Sequence, residues 1–317
     1  MIKEYGGFIE WERYFGEEYH EGYRFDSVRS ALMALIDAKR YRHVYMPVFI
    51  CSCFRELFDL TGLEYTFYNI DRNFKPIADF KSFSHDSLLL IVNYFGQLQI
   101  NDINDLASKY NIFLDNTQAF FYQKLHGIDM ANSCRKYLGV ADGAYLYSSH
   151  TFNMDCYDFN NIIDKVGCLI GRYEESASNY YGDFVKNEET IRGNPIKRMS
   201  RFTQNILKSL DYDRIIEVRK NNFLYLDEVF SKVNEIQVMN YAGYFMYPLL
   251  IPEGRFVKKE LIKRRIYVPT LWPGVDENPI STEWEQHLEK DTIWLPIDQR
   301  YNQDDMEFIA RNVRDLL

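Results

Sequence analysis

From Asp26 onward the apolar positions recur at helical spacing: Val28, Ala31, Leu32, Leu35 and Ile36 share one face, with Asp26 or Ser27 as the cap. Short apolar runs then alternate with helical stretches. The pattern predicts strands at 43–47, 64–68, 88–92 and 111–114, and helices at 52–60 and 101–109. Two further strands are expected near 129–133 and 143–147. Leu88 to Val92 is apolar at every position, as expected where helices cover both faces of a sheet. Such alternation implies right-handed crossovers and a mainly parallel sheet, hence an α/β fold whose ligand crevice opens at the strand C-termini.

After Tyr147 the periodicity lengthens, predicting helical stretches over roughly 160–190 and 199–233. A smaller α/β unit should follow, with a strand at 245–251, a helix at 257–264 and a strand at 266–268. The last helix is expected over 304–317, where Met306, Ile309, Ala310, Val313 and Leu316 share a face. The boundary is placed inside the second long helix, giving a large domain over 1–210 and a small one over 211–317.

Composition narrows the function. The 317 residues carry 37 Lys+Arg against 46 Asp+Glu, a formal charge of −9, with no basic stripe. Nucleic acid and anionic membranes are therefore not expected partners. The longest apolar run is far too short to span a bilayer, and Met1–Arg13 lacks the pattern of a secretory leader. Five sparse cysteines (Cys51, Cys53, Cys134, Cys156 and Cys168) fit a reducing cytoplasm, and Cys51-x-Cys53 has no second pair at metal spacing, so no metal is expected.

Two segments could carry chemistry. Asp115, in Leu114-Asp115-Asn116-Thr117-Gln118, stands just past a buried strand, where it can anchor a cation or simply cap a turn. Lys136 lies in Ser133-Cys134-Arg135-Lys136-Tyr137, in an apolar-flanked loop ahead of Gly143. A desolvated lysine forms a Schiff base with an aldehyde. With a helix N-terminus at Ser27–Ser30 able to hold phosphate, the three features match what pyridoxal 5'-phosphate requires.

On these residues the chain resembles the DegT/StrS-type nucleotide-sugar aminotransferases, of the fold-type I (aspartate aminotransferase-like) pyridoxal-phosphate enzymes. Ser27-Val28-Arg29-Ser30-Ala31-Leu32 resembles the phosphate-binding helix start, Tyr45-Met46-Pro47 with Phe49 a strand-and-loop segment, and Asn69-Ile70-Asp71 the end of the next strand. Val92 to Gly96, and the small-domain segments Ile266–Pro269, Trp272-Pro273 and Leu295–Tyr301, are similar in the same way. The resemblance implies a three-layer αβα homodimer. Asp115 would meet the pyridine nitrogen, Gln118 the ring hydroxyl, and Lys136 would hold the cofactor as a Schiff base. Ser27, Val28, Arg29 and Ser133 would face the phosphate, Phe49 the ring, and Asn194 the cofactor or the partner. It further implies transfer of an amino group from an amino acid, glutamate by expectation, to a keto group of a nucleotide-linked deoxysugar, feeding surface polysaccharide synthesis. A lysine at 136 argues against the family's sugar dehydratases, which carry histidine there.

The chain departs from the pattern at several places, three of them at expected cofactor contacts. Val28 replaces a glycine, Ala131 occupies a common phosphate-serine position with Ser133 as the substitute, and Cys51 stands where an aromatic usually stacks on the ring. These changes keep two alternatives open: the same cofactor with a non-sugar keto acceptor, or a catalytically silent protein of this fold serving binding or assembly.

Overall fold

The computed structural model describes residues 5, 7–77, 80, 82–192, 195–238 and 243–317; the side chains of 190–192 lie outside this description. Its main sheet runs in the order β1-β8-β7-β6-β5-β2-β3-β4. The parallel core comprises β2 (His43–Pro47), β3 (Glu64–Ile70), β5 (Ser87–Val92), β6 (Ile112–Asp115) and β7 (Asp129–Ser133). Antiparallel strands finish both sides: β4 (Pro76–Ile77) on β3, then β8 (Ala144–Tyr147) on β7 and β1 (Tyr23–Phe25) on β8. All six positions of β5 are buried, the apolar run Leu88–Val92 together with Ser87.

Register brings the strand ends together. Val92 pairs with Asp115, and Asp115 with Ala131, two residues before β7 ends at Ser133. Ser133 pairs with Ala144, which pairs with Phe25, and the chain then turns directly into α1 (Val28–Lys39). The start of α1 and the turn that carries Lys136 therefore lie side by side. Gly143 N–H donates to Asp26 O at 2.6 Å, fastening the two.

Helix α1 begins where Ser27 accepts a hydrogen bond from Ser30 N–H and ends at Arg40, in the left-handed region with φ 59°. It packs on β7 and β8. The helix α2 (Ser52–Thr61) joins β2 to β3, and α3 (Ile100–Lys109) joins β5 to β6.

The mixed α/β architecture meets the sequence expectation, and several details differ. The stretch expected as one helix over 160–190 is instead α4 (Gly167–Glu174) and α5 (Tyr181–Arg192). The 199–233 stretch breaks into α6 (Arg201–Leu207) and α7 (Tyr212–Phe230), because Asp211 accepts from Arg214 N–H and starts a new helix. No single helix crosses position 210. Residues 266–268 form no strand; the partner of β9 (Tyr247–Leu250) is β10 (Thr292–Leu295). These strands, with α8 (Gly254–Lys263), α9 (Glu283–Asp291) and α10 (Gln303–Arg314), accompany a second apolar cluster that includes Phe223, Leu226 and Phe230 of α7. No helix among the described residues is long and apolar enough to cross a membrane.

Candidate active site

The ends of β6 and β7, the first turn of α1 and the turn over 134–143 lie side by side. Asp115, at the end of β6, is 3% exposed. Thr117 N–H donates to its Oδ1 at 2.8 Å, and no donor among the described residues meets Oδ2. Burial pushes the Asp115 carboxyl up to about 6, against the pull of Thr117 and of the Lys136 charge. The free oxygen of such a carboxyl suits a protonated ring nitrogen, whose charge would hold it ionised.

Gln118 is also buried. Its Oε1 accepts from Phe95 N–H at 3.1 Å, which orients the amide so that its NH2 remains a donor. Its backbone carbonyl lies 2.6 Å from the Tyr137 hydroxyl, tying this segment to the residue after Lys136. The Lys136 side chain has solvent-accessible area, yet protein surrounds its ammonium closely. Desolvation first, then the Arg135 charge, pull the Lys136 ammonium below its ordinary range, which favours the nucleophilic neutral amine.

A cationic cup adjoins these three residues. Val28 is 6% exposed, with its side chain in the core cluster, so it does not fill the space before the helix start. The N–H groups of Val28 and Arg29 meet no acceptor among the described residues, as the first turn of a helix allows. Arg29 Nη1 is buried without a hydrogen-bond partner. Burial first, then repulsion from nearby Arg29, lowers the Arg135 pKa to about 10, and Arg135 contacts Glu188 of α5. Ser27 Oγ donates to Asp26 Oδ1 at 3.1 Å while capping Ser30 N–H. Ser133 ends β7 beside this helix start. Unsatisfied donors and positive charge at a helix N-terminus fit a phosphate dianion.

Phe49 is not brought to the cleft. It is fully buried, stacked on Tyr94 at 5.6 Å and edge-on to Trp272 at 4.7 Å, and so offers no open ring face. The residue near Lys136 and Arg29 is Cys51, the N-cap of α2. Asn194 lies outside the described residues. The loop after it reaches the cup, since Lys197 O accepts from Asp26 N–H at 3.0 Å.

Three features escaped the sequence reading. Arg135 had a signal, lying between Ser133 and Lys136. Tyr137 and Arg219 had none, because their roles rest on contacts between distant segments. Arg219 of α7 is 2% exposed and donates to Tyr137 O at 2.9 Å, Tyr244 O at 3.0 Å and Gln299 Oε1 at 2.8 Å. Gln299 Nε2 donates to the same Tyr137 carbonyl at 2.9 Å.

The order of strands and the cleft at their C-termini define the fold as that of the fold-type I pyridoxal-phosphate transferases. Solved structures with this fold include DesV from S. venezuelae, 14% identical with a TM-score of 0.65, covering 94% of this chain and 85% of that one. Helicobacter pylori PseC, an aminotransferase involved in the biosynthesis of pseudoaminic acid, is 13% identical with a TM-score of 0.63, covering 92% and 85%. A DegT DnrJ EryC1 StrS aminotransferase from Brucella abortus is 13% identical with a TM-score of 0.62, covering 94% and 86%. No family model and no curated protein matches the chain.

Proposed function

We propose that this chain is a pyridoxal-phosphate-dependent aminotransferase that moves an amino group from an amino acid, glutamate by preference, to a keto group of a sugar. The observation that carries the reading is the convergence of Asp115, Gln118 and Lys136 beside the unsatisfied donors at the start of α1. The cofactor supplies an aldehyde and an electron-withdrawing ring. Ser133, Arg29, Arg135 and the α1 N-terminus would bind its phosphate, and Asp115 would hold a proton on its ring nitrogen. Gln118 donates to the ring hydroxyl. Lys136 would anchor the cofactor and, when free, would hold and move a proton at its Nζ.

Within this reading the acceptor is a nucleotide-linked deoxysugar destined for surface polysaccharide. The small unit is 211–317, and two chains pair as a homodimer. Exposed apolar side chains on the N-terminal arm, Phe8, Ile9 and Phe15 at 90% or more, support a protein partner for that surface. The likeness of fold to CalS13 from Micromonospora echinospora, a sugar aminotransferase, supports the choice of a sugar acceptor.

The test has two stages. Purified protein with added pyridoxal phosphate should gain a visible absorption band that L-glutamate bleaches, with 2-oxoglutarate released. The glutamate-treated protein should then regain the band with a nucleotide-linked keto-sugar. Bleaching with glutamate but recovery only with small keto acids would move the acceptor outside the sugars. Absence of any band would contradict the enzyme reading.

A further inference from the structure

One anion of the chain itself reaches the cationic cup. Glu188 of α5 meets the guanidinium of Arg135, and their side chains are 29% and 14% exposed, so water screens the pair only in part. Arg135 lies two residues past Ser133, whose strand end is tied to the start of α1 through Ala144 and Phe25. Arg29, in the first turn of α1, has Nη1 buried without a partner. Of the other carboxylates near Arg135, Asp142 has both oxygens engaged, by Ser200, Thr203 and Asn160, and Asp26 accepts from Ser27 Oγ at 3.1 Å. Among the described residues, Glu188 is the carboxylate that pairs with Arg135.

We infer that Glu188 sets the affinity of the cup for its ligand: its carboxylate is the built-in partner of Arg135, and a phosphate dianion displaces it. This rests on the reading of the cup as the site of the cofactor phosphate. Without any anion, two guanidiniums close enough to repel would stand with no charge to answer them, so the carboxylate stabilises the cofactor-free chain. A phosphate brings two negative charges, and its terminal oxygens can accept from both arginines and from the N–H groups of Val28 and Arg29. Glu188 brings one charge and serves one arginine. A carboxylate kept beside the dianion would repel it, so phosphate and Glu188 compete for Arg135.

The placement of α5 lets the carboxylate leave. None of the side chains described in this helix, 181–189, is buried, and Tyr181 is 66% exposed. The second half of the helix is held by Asn187, whose Nδ2 donates to Lys165 O at 3.3 Å and to Cys168 Sγ at 3.4 Å, and by Glu188 on Arg135. Losing the Glu188 contact gives up little apolar burial, so its cost is mainly the ion pair, which phosphate replaces.

The inference is tested on the full-length protein freed of cofactor and titrated with inorganic phosphate in a calorimeter at slightly alkaline pH. Glu188→Gln should bind phosphate at least about tenfold more tightly than wild type, and with Arg135→Gln also present that gain should vanish. In wild type, phosphate should speed hydrogen exchange at the backbone amides of α5 around Glu188, a measurement that stands even if the variants fail to fold. Equal or weaker phosphate binding by Glu188→Gln, the same gain without Arg135, or unchanged or slowed exchange in α5 would overturn the role of Glu188 while leaving the cup a phosphate site. Absence of phosphate binding in both wild type and Glu188→Gln would overturn that role together with the reading of the cup.

Discussion

Asp115 sits beneath the cleft with one hydrogen bond to Oδ1 and a carboxyl that keeps its proton to about pH 6. An unfolded aspartate ionises near 3.9, so between about pH 4 and 6 the native state binds more protons than the unfolded one. Without cofactor, stability therefore falls as pH rises through that window, by up to about 3 kcal/mol at 1.36 kcal/mol per pKa unit. Asp115→Asn should remove this loss, so urea melts at pH 4 and pH 7 should show the variant gaining on wild type with rising pH. The same variant should bind pyridoxal phosphate with a weakened response to amino donors, because nothing then holds the ring nitrogen protonated. At this scale Asp115 and Lys136 were singled out by their place after buried strands and by their side-chain chemistry, and Gln118 by the resemblance alone. Phe49 was not, since the direction of its ring is set by Tyr94 and Trp272, which lie far away in the chain.

Helix α1 and the turn before β8 do most of the positioning. Ser27 caps α1 and borders the cup, so Ser27→Ala should cost about 1 kcal/mol of stability and also weaken phosphate binding. Thermal melts with and without inorganic phosphate would separate the two effects. Gly143 holds φ at 123°, and a Cβ there would stand 3.2 Å from the Cys134 side chain and from Thr203. Gly143→Ala should therefore displace the turn that carries Lys136, lowering the melting temperature and slowing cofactor loading together. Elements with strong periodicity, α1, α3 and the parallel strands, were read within a few residues of their ends. Helix α9 runs directly into β10 with no Gly or Pro between them, so the strand left no turn signal. The break between α6 and α7 rests on one side-chain cap, which the apolar repeat does not encode.

At the scale of the whole molecule, the Arg219 cation joins the C-terminal elements to the turn that carries Lys136. Arg219 lies over the Tyr137 ring at 4.6 Å and, with Gln299, donates to the carbonyl just past Lys136. Its buried guanidinium is answered by carbonyls and an amide. Arg219→Met would leave those acceptors unpaired and should cost about 3 kcal/mol or more, measured by urea unfolding. A cofactor-loaded variant should also shift the pH at which its visible band changes, because the Tyr137 carbonyl no longer fixes Lys136. This coupling was invisible in the sequence, where 82 positions separate Arg219 from Tyr137.

The central claim is that Lys136 is the residue that captures the cofactor's aldehyde. Protein mixed with pyridoxal phosphate, reduced with borohydride and digested should carry a single pyridoxyl group, on the peptide containing Lys136, and the label should be absent from Lys136→Ala. A label spread over surface lysines, or equal labelling of the variant, would contradict the account.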